Sequence, residues 1–475
     1  MYKLFFSALL LSLSINVFAQ SRRVNPNVPT PTTSSVAAMN ELTAEQMFNE
    51  ANTYAKNKFA EFETKKIPFN DNLLKFTFKE QKQLAAKYAA VLAARENLKA
   101  EDFYYAGMLN WLAENLDAAS ESFQKFFAAE NPAAEKLQTA RSIVIVAYTR
   151  KKNFDEAEKL LAEYLKTEPT KLTERARMET ELANGYRSEK NYAKAVAHAE
   201  EAYHAFKTLV KDSTSRADAL QNIYGAGLLV FEINRDGGKQ TDATAALEDL
   251  RKTAAALGSS SIYYAAVDEH IKYLTATSRK PQALLMYANT LAQVEKDFAA
   301  KPLREDVTRR LKRREKHYRL LGDTAPELAS IDRWLGSQPK TLTNLRGKVV
   351  LLDFWATWCG PCIAAFPSLT EWHETFNKDG LEILGVTKYH GEAEGFPVDN
   401  AAEFEFLQRF KKNQRLPYDF VIGKDNTNQI AYGVTSIPTT ILIDRRGVVR
   451  YAEIGTGARR EEEIRAEIEK LLAEK

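Results

Sequence analysis

A turn followed by a helix start recurs at a fixed interval of 38 residues: Asn115-Leu116-Asp117-Ala118-Ala119, Asn153-Phe154-Asp155-Glu156-Ala157 and Asn191-Tyr192-Ala193-Lys194-Ala195 superimpose. In each copy the Asn or its neighbour is suited to cap the helix that follows. In the second, Phe154, Ala157, Leu161, Tyr164 and Leu165 fall on one helical face, Glu168-Pro169 stops the helix, and residues 137–150 supply the preceding helix of a pair. Weaker copies lie near Ala243 and Ala283. From about Glu41 to Leu321 apolar residues recur at three and four positions and strand-like alternation is scarce, so an all-α helical-repeat domain is predicted over residues 41–322.

This pattern resembles tetratricopeptide repeats in a slightly lengthened form, their usual period being about 34 residues. The resemblance implies stacked helix pairs whose concave surface grips a protein partner or another subunit. A scaffold that only holds the C-terminal region is the alternative. Repeat Tyr, Phe and Ala positions are read as interhelical packing, and no binding residue is assigned among them. His198, His204, His270 and His317 have no partner at metal-ligand spacing and are read as solvated or satisfied.

The chain has 475 residues, too many for one ordinary core. Its 66 basic and 63 acidic side chains leave a formal charge of +3, which creates no long-range field toward nucleic acid or anionic membrane. At the start, Met1 to Lys3 is positive, Leu4 to Val17 is apolar, and Val17-Phe18-Ala19 fits signal peptidase. A cleaved signal peptide over 1–19 is expected, because the apolar run is shorter than the roughly 20 residues of a spanning helix. Residues 20–40, with prolines and many Ser and Thr, read as a disordered linker. The mature protein is then exported, periplasmic or otherwise outside the cytoplasm, and not transmembrane.

Around Asp323 the character changes. Residues 325–348 are turn-rich with short apolar spots, suited to a small hairpin. Val349 to Trp355 is an apolar run of strand length. Cys359-Gly360-Pro361-Cys362 follows, and a helical stretch runs from Ile363 to about Asn377. Only a thiolate attacks a disulfide sulfur, and a cysteine at a helix N-terminus has its pKa lowered by unpaired N–H groups and the helix dipole. Cys359 is therefore read as the nucleophile. Cys362, one turn on, can close back on it, so the pair cycles between dithiol and disulfide. Gly360-Pro361 keeps the connection tight and starts the helix. Asp353, in an otherwise apolar strand, should have a raised pKa and suit proton transfer with Cys362; a buried Asp held by hydrogen bonds alone is the other reading.

The string Phe354 to Cys362, with Gly347-Lys348 before it, resembles the thioredoxin superfamily, and within it the exported TlpA/ResA-like proteins that service disulfides, including in cytochrome c maturation. Ala431 to Thr440, the strand Ile441-Leu442-Ile443-Asp444 and the turn Arg445-Arg446-Gly447 agree with it. An α/β thioredoxin-like domain over 323–475 is implied, with Leu381 to Val386 a strand and Ala402 to Lys412 an added helix. The resemblance also implies that Pro438 is cis and faces the cysteines, that the Ile437 backbone pairs with an extended substrate strand, and that Trp358 flanks the exposed sulfur. Gly360 and Pro361 are counted with these substrate contacts. Disulfide-containing envelope proteins, apocytochrome c as one candidate, and a membrane reductant of the DsbD type are the implied partners. No cofactor beyond the redox-active Cys359/Cys362 pair is expected.

Many relatives carry a glutamate three residues after the second cysteine, where this chain has Ala365, so proton handling falls to Asp353 or water. His390, in a loop longer than the minimal fold needs, could visit the active site, but is read first as a surface histidine. A zinc site would need two further ligands, and no second Cys pair exists. A structural disulfide across so short a loop would constrain little chain. The competing class is a binding module, with the repeats recruiting a partner and the thioredoxin fold serving as a docking surface.

Overall fold

The computed structural model describes residues 41–129, 132–211 and 216–474. The leader (1–19) and linker (20–40) read from the sequence lie outside them. By compactness the chain divides into two units, one ending at Ala246 and the other starting at Leu247.

The described residues as far as Leu320 form thirteen helices: α1 (Ala44–Thr64), α2 (Asp71–Ala93), α3 (Ala100–Leu112), α4 (Leu116–Phe127), α5 (Ala134–Arg150), α6 (Phe154–Lys166), α7 (Leu172–Ser188), α8 (Tyr192–Leu209), α9 (Arg216–Asp236), α10 (Gln240–Ala256), α11 (Ser260–Ala276), α12 (Lys280–Asp297) and α13 (Lys301–Leu320). The division between units falls inside α10.

In the first unit the 38-residue period is a period of backbone geometry. Glu114, Lys152 and Lys190 each adopt a left-handed conformation, with φ of 60°, 63° and 59°. Across that residue the N–H of Asn115, Asn153 and Asn191 donates to the carbonyl five residues back, at 2.8, 2.9 and 2.9 Å. This closes one helix and starts the next. The Asn115 and Asn191 side chains then accept from Ala118 and Lys194 N–H at 3.3 Å, whereas Asn153 makes no such bond. Gly238 and Ser278 repeat the left-handed turn before the weaker copies, with φ of 74° and 60°.

Packing is close and aromatic. At Gly107 an added Cβ would lie 2.5 Å from the Phe123 ring, so the glycine lets α3 and α4 meet. Phe154 stacks on Tyr186 at 4.4 Å, and Tyr186 on His198 at 5.6 Å. His198 is a satisfied histidine, its ring nitrogens 2.7 Å from Glu179 and 3.2 Å from Glu158. Ala157, Leu161 and Tyr164 are buried as expected, but Leu165 is 41% exposed, because one residue beyond Tyr164 the helix has turned about 100° off the stripe.

In the second unit a six-stranded sheet has the order β1 (Ile331–Leu335), β6 (Asp419–Gly423), β3 (Leu381–Lys388), β2 (Val349–Phe354), β7 (Thr439–Ile443), β8 (Val449–Ile454). The two-residue strands β4 (Glu392–Ala393) and β5 (Phe396–Pro397) pair separately. β2, β3 and β6 run parallel, and β1, β7 and β8 join antiparallel. Four helices complete it: α14 (Gly360–Phe376), α15 (Asn400–Asn413), α16 (Thr427–Tyr432) and α17 (Ala458–Ala473). The apolar run at β2 is buried along its whole length. Its Val349 and Leu351 face a core shared with Cys362, Phe366, Ile464 and Ile468. Val350, Leu352 and Phe354 face the other core, with Leu320, Leu321 and Tyr432.

The hairpin expected within 325–348 does not form. β1 instead pairs antiparallel with the distant β6. The Asp419 carboxylate fixes this edge, accepting from the Trp334 indole and from the Ser337 N–H, both at 3.0 Å. Turn chemistry shows that a strand is bounded there, but the choice of partner is tertiary.

Candidate active site

The strand β2 delivers Phe354 to the turn before α14, and its antiparallel register with β7 sets Phe354 opposite Thr439 and Asp353 opposite Thr440. The loop ending at Pro438 is thereby brought beside the start of α14. The Ile437–Pro438 bond is cis, and Ile437 packs against the core that contains both cysteines.

Cys359 is the N-cap of α14, and its sulfur accepts the Cys362 N–H at 3.2 Å. The two cysteines are joined in a disulfide, with Cα atoms 5.2 Å apart. Cys359 is 5% exposed and Cys362 fully buried. Pro361 stands in the first turn of α14, where no N–H is needed. The sulfur that meets solvent is thus the one at the helix N-terminus, where thiolate charge is most favoured.

The two tryptophans of the string do different things. Trp355 is buried, stacked on Phe410 at 5.5 Å and edge-on to Phe366 at 5.4 Å. Trp358 is 58% exposed, and the His390 ring lies against it edge-on, 5.4 Å between centroids. Of the two sequence readings of His390, a surface residue or one that reaches the site, the half-buried ring against Trp358 favours the second. Its N–H and that of Gly391 donate to the buried carboxylate of Glu403 on α15 at 2.8 Å, which clamps the loop over the site. Burial, then the Lys388 charge, lowers the His390 pKa and favours the neutral ring. An acidic residue 13 positions downstream gave no signal that it would hold this loop.

Asp353 is buried, and its Oδ2 has no hydrogen-bond partner among the described residues. Burial alone raises its pKa to about 7. At neutral pH such a carboxyl can hold or release a proton. It sits in register with Gly385, where an added Cβ would meet the Trp355 Nε1 at 2.9 Å and the Phe420 ring at 3.0 Å, so glycine makes room for the indole. The Trp355 Nε1 and the Tyr418 hydroxyl in this core also lack partners among the described residues. Burial, then the Asp353 charge, pushes the Tyr418 phenol well up. Tyr418 went unremarked in the sequence, which places it at no recognisable spacing from the cysteines. No group of three or more His, Cys, Asp or Glu that could hold a metal ion occurs among the described residues.

A mixed sheet, a CxxC pair opening a helix and a cis-proline loop laid beside it define a thioredoxin-fold protein of the dithiol–disulfide class. Residues 321–452 match the AhpC/TSA family. The thiol-disulfide oxidoreductase ResA of Geobacillus thermodenitrificans is 35% identical over 151 residues, 32% of this chain and 78% of the relative. The thioredoxin-like protein YneN of Bacillus subtilis is 30% identical over 148 residues, 31% of this chain and 79% of the relative. A solved thiol-disulfide isomerase from Corynebacterium glutamicum is similar over 32% of this chain and 98% of its own, at 19% identity and a TM-score of 0.28. Through its C-terminal third the chain belongs to the ResA family of thiol–disulfide oxidoreductases, and a long helical region precedes that part. No described helix is long and apolar enough to cross a membrane.

Proposed function

We propose that this protein is an exported oxidoreductase that reduces disulfides in envelope proteins through Cys359 and Cys362. The observation that carries the reading is the position of Cys359, slightly exposed at the N-cap of α14 beside the cis-proline loop. The Cys359 thiolate attacks one sulfur of a substrate disulfide, forming a mixed disulfide and releasing a substrate thiolate. Cys362, deprotonated with Asp353 as the acceptor, then attacks the Cys359 sulfur and releases the second substrate thiolate. Two electrons pass to the substrate, and the pair is left as the disulfide. An external dithiol, supplied by a membrane reductant of the DsbD type, restores it. Trp358, Gly360, Pro361 and the Ile437 backbone before Pro438 form the surface on which an extended substrate strand lies. The repeating helices, similar to tetratricopeptide repeats, hold a partner protein, and apocytochrome c is one candidate substrate. No further cofactor takes part.

Insulin reduction by the mature chain tests this. The wild type should turn over with an added dithiol, and Cys359→Ser should not. Cys362→Ser should accumulate mixed disulfides with envelope proteins, which mass spectrometry would identify. Full turnover by Cys359→Ser, or no adducts with Cys362→Ser, would overturn the reading.

A further inference from the structure

The helix α13 carries nine Lys or Arg against three Asp or Glu, an excess of six in one helix of a chain whose whole formal charge is +3. Some of this charge is spent internally. Lys301 pairs with Glu305, Arg304 with Glu295, Arg309 and Arg310 with Asp306, and Arg319 with Glu315. Arg314 is buried, bonded to Asp268 and to Glu453 at 3.2 Å each. Lys312, Arg313 and Lys316 remain, all exposed and in no salt bridge among the described residues. The charge of Lys312 acts weakly on Glu315, whose pKa is lowered mainly by hydrogen bonds from Arg319 and Tyr287. At 3.6 residues per turn, these three positions span roughly a third of the helix circumference.

This stripe borders the cis-proline loop. Arg313 donates from Nε to the Thr435 hydroxyl at 2.9 Å, and from its terminal nitrogen to the Ser436 hydroxyl. These are the two residues before Ile437. Two positions before Thr435, Gly433 has φ +68°, and a Cβ there would come within 2.6 Å of the Lys316 Cβ, so the loop backbone lies directly on the helix. The helix is also held firmly. Besides the bonds of Arg314, the Gly322 N–H donates to the Val449 carbonyl at 2.8 Å, and Lys272 of α11 reaches Glu453 of β8 at 3.0 Å.

We infer that Lys312, Arg313 and Lys316 form a cationic lip to the substrate cleft, and that the preferred substrates carry acidic residues flanking the target disulfide. This rests on the reading of Cys359 and Cys362 as the exchange site. A substrate strand laid along Ile437 continues past Thr435 and Ser436, where Arg313 has guanidinium N–H groups to offer a carboxylate. The stem of Lys316 is packed on Gly433 while its ammonium stays in water. Opposite charge at the lip raises the encounter rate and selects among substrates. Arg313 also acts as a positioning residue for the loop through its two hydroxyl partners.

The test uses the full chain, pre-reduced, and two peptides each closed by one disulfide, identical except for Glu or Gln beside the cysteines. At low salt the wild type should reduce the Glu peptide about tenfold faster than the Gln peptide, and about 0.5 M salt should bring the ratio near two. In the triple variant Lys312→Gln, Arg313→Gln, Lys316→Gln the ratio should approach one, while Arg313→Lys should retain most of it. Because the readout is a ratio, a general loss of folding lowers both rates and does not mimic the result. A wild-type ratio near one overturns the inference, as does a ratio that neither salt nor the triple variant reduces. So does equal reactivity accompanied by binding to phosphatidylglycerol vesicles that the triple variant loses, which would make the stripe a membrane contact. If neither peptide oxidises the reduced pair, the exchange site itself falls, and the cationic lip falls with it.

Discussion

Two aspartates in the second unit, Asp353 and Asp268, are buried to a similar degree, at 2% and 8% exposure, yet their environments drive them in opposite directions. Asp353 lies in a purely apolar strand with one oxygen unpartnered, and burial raises its pKa to about 7. At Asp268 burial also acts upward, but the Arg314 and Lys272 charges and the Tyr318 hydroxyl outweigh it, and the carboxyl is held well below its ordinary range. The second carboxyl is neutralised by fixed cations and hydrogen bonds, as a structural joint requires. The first is left poised between two protonation states, which costs stability and is useful only where protons move. The difference separates the chemistry of this unit from its assembly.

The widest gap should come from Cys359→Ser. We expect insulin reduction to fall about a thousandfold or more; surviving turnover would mean that the isolation of Asp353 serves no thiol pair. Next is the joint. Arg314→Ala removes the buried guanidinium shared by Asp268 and Glu453, leaving them to Lys272, Tyr318 and Arg460, and should cost about 3 kcal/mol in urea unfolding. A loss within about 0.5 kcal/mol, the range of surface changes, would put Asp268 in the same class as Asp353.

Asp353→Asn should act in two directions. Turnover at pH 7 should drop about tenfold to a hundredfold, while unfolding free energy at pH 8 should rise by roughly 4 kcal/mol, since no charge is then buried. The sign follows from linkage. With its pKa raised from 3.8 to about 7, Asp353 contributes most to stability below about pH 4, and that contribution declines as pH climbs to about 7. Asp268, with a lowered pKa, contributes above its ordinary value of 3.8 and loses its contribution as pH falls below it. The stability advantage of the Asn variant should therefore grow between pH 4 and 7; a flat difference would sink the assignment. The smallest effect is expected for His390→Gln, which removes a ring contact with Trp358. A change of about twofold in peptide reduction, with stability within about 0.5 kcal/mol, would fit an accessory role.

The legibility of these regions in the sequence follows the same line. Asp353 stood out because a single carboxylate interrupts a run of apolar residues, and the cysteines because their spacing is itself the chemistry. Asp268 and Arg314 gave no such sign, since 46 positions separate them and each sits among ordinary helical neighbours. The repeats were visible as a recurring Asn, but the left-handed residue that makes the turn was not, because Glu114, Lys152 and Lys190 occupy it where glycine would have announced it. The pairing of β1 with β6 and the placement of His390 by Glu403 depend on partners distant along the chain. Local pattern carries the elements and the reactive pair; the contacts that orient them are tertiary.

The seam between α13 and β8 bears on how such a protein can be divided or recombined. A cut just before Asp323 would strip Leu320 and Leu321 from one core of the sheet and deprive Glu453 of Arg314 and Lys272. The oxidoreductase is in that sense not a detachable cassette. Fusions and transplants of this chain's domain should carry the helices from Ser260 onward.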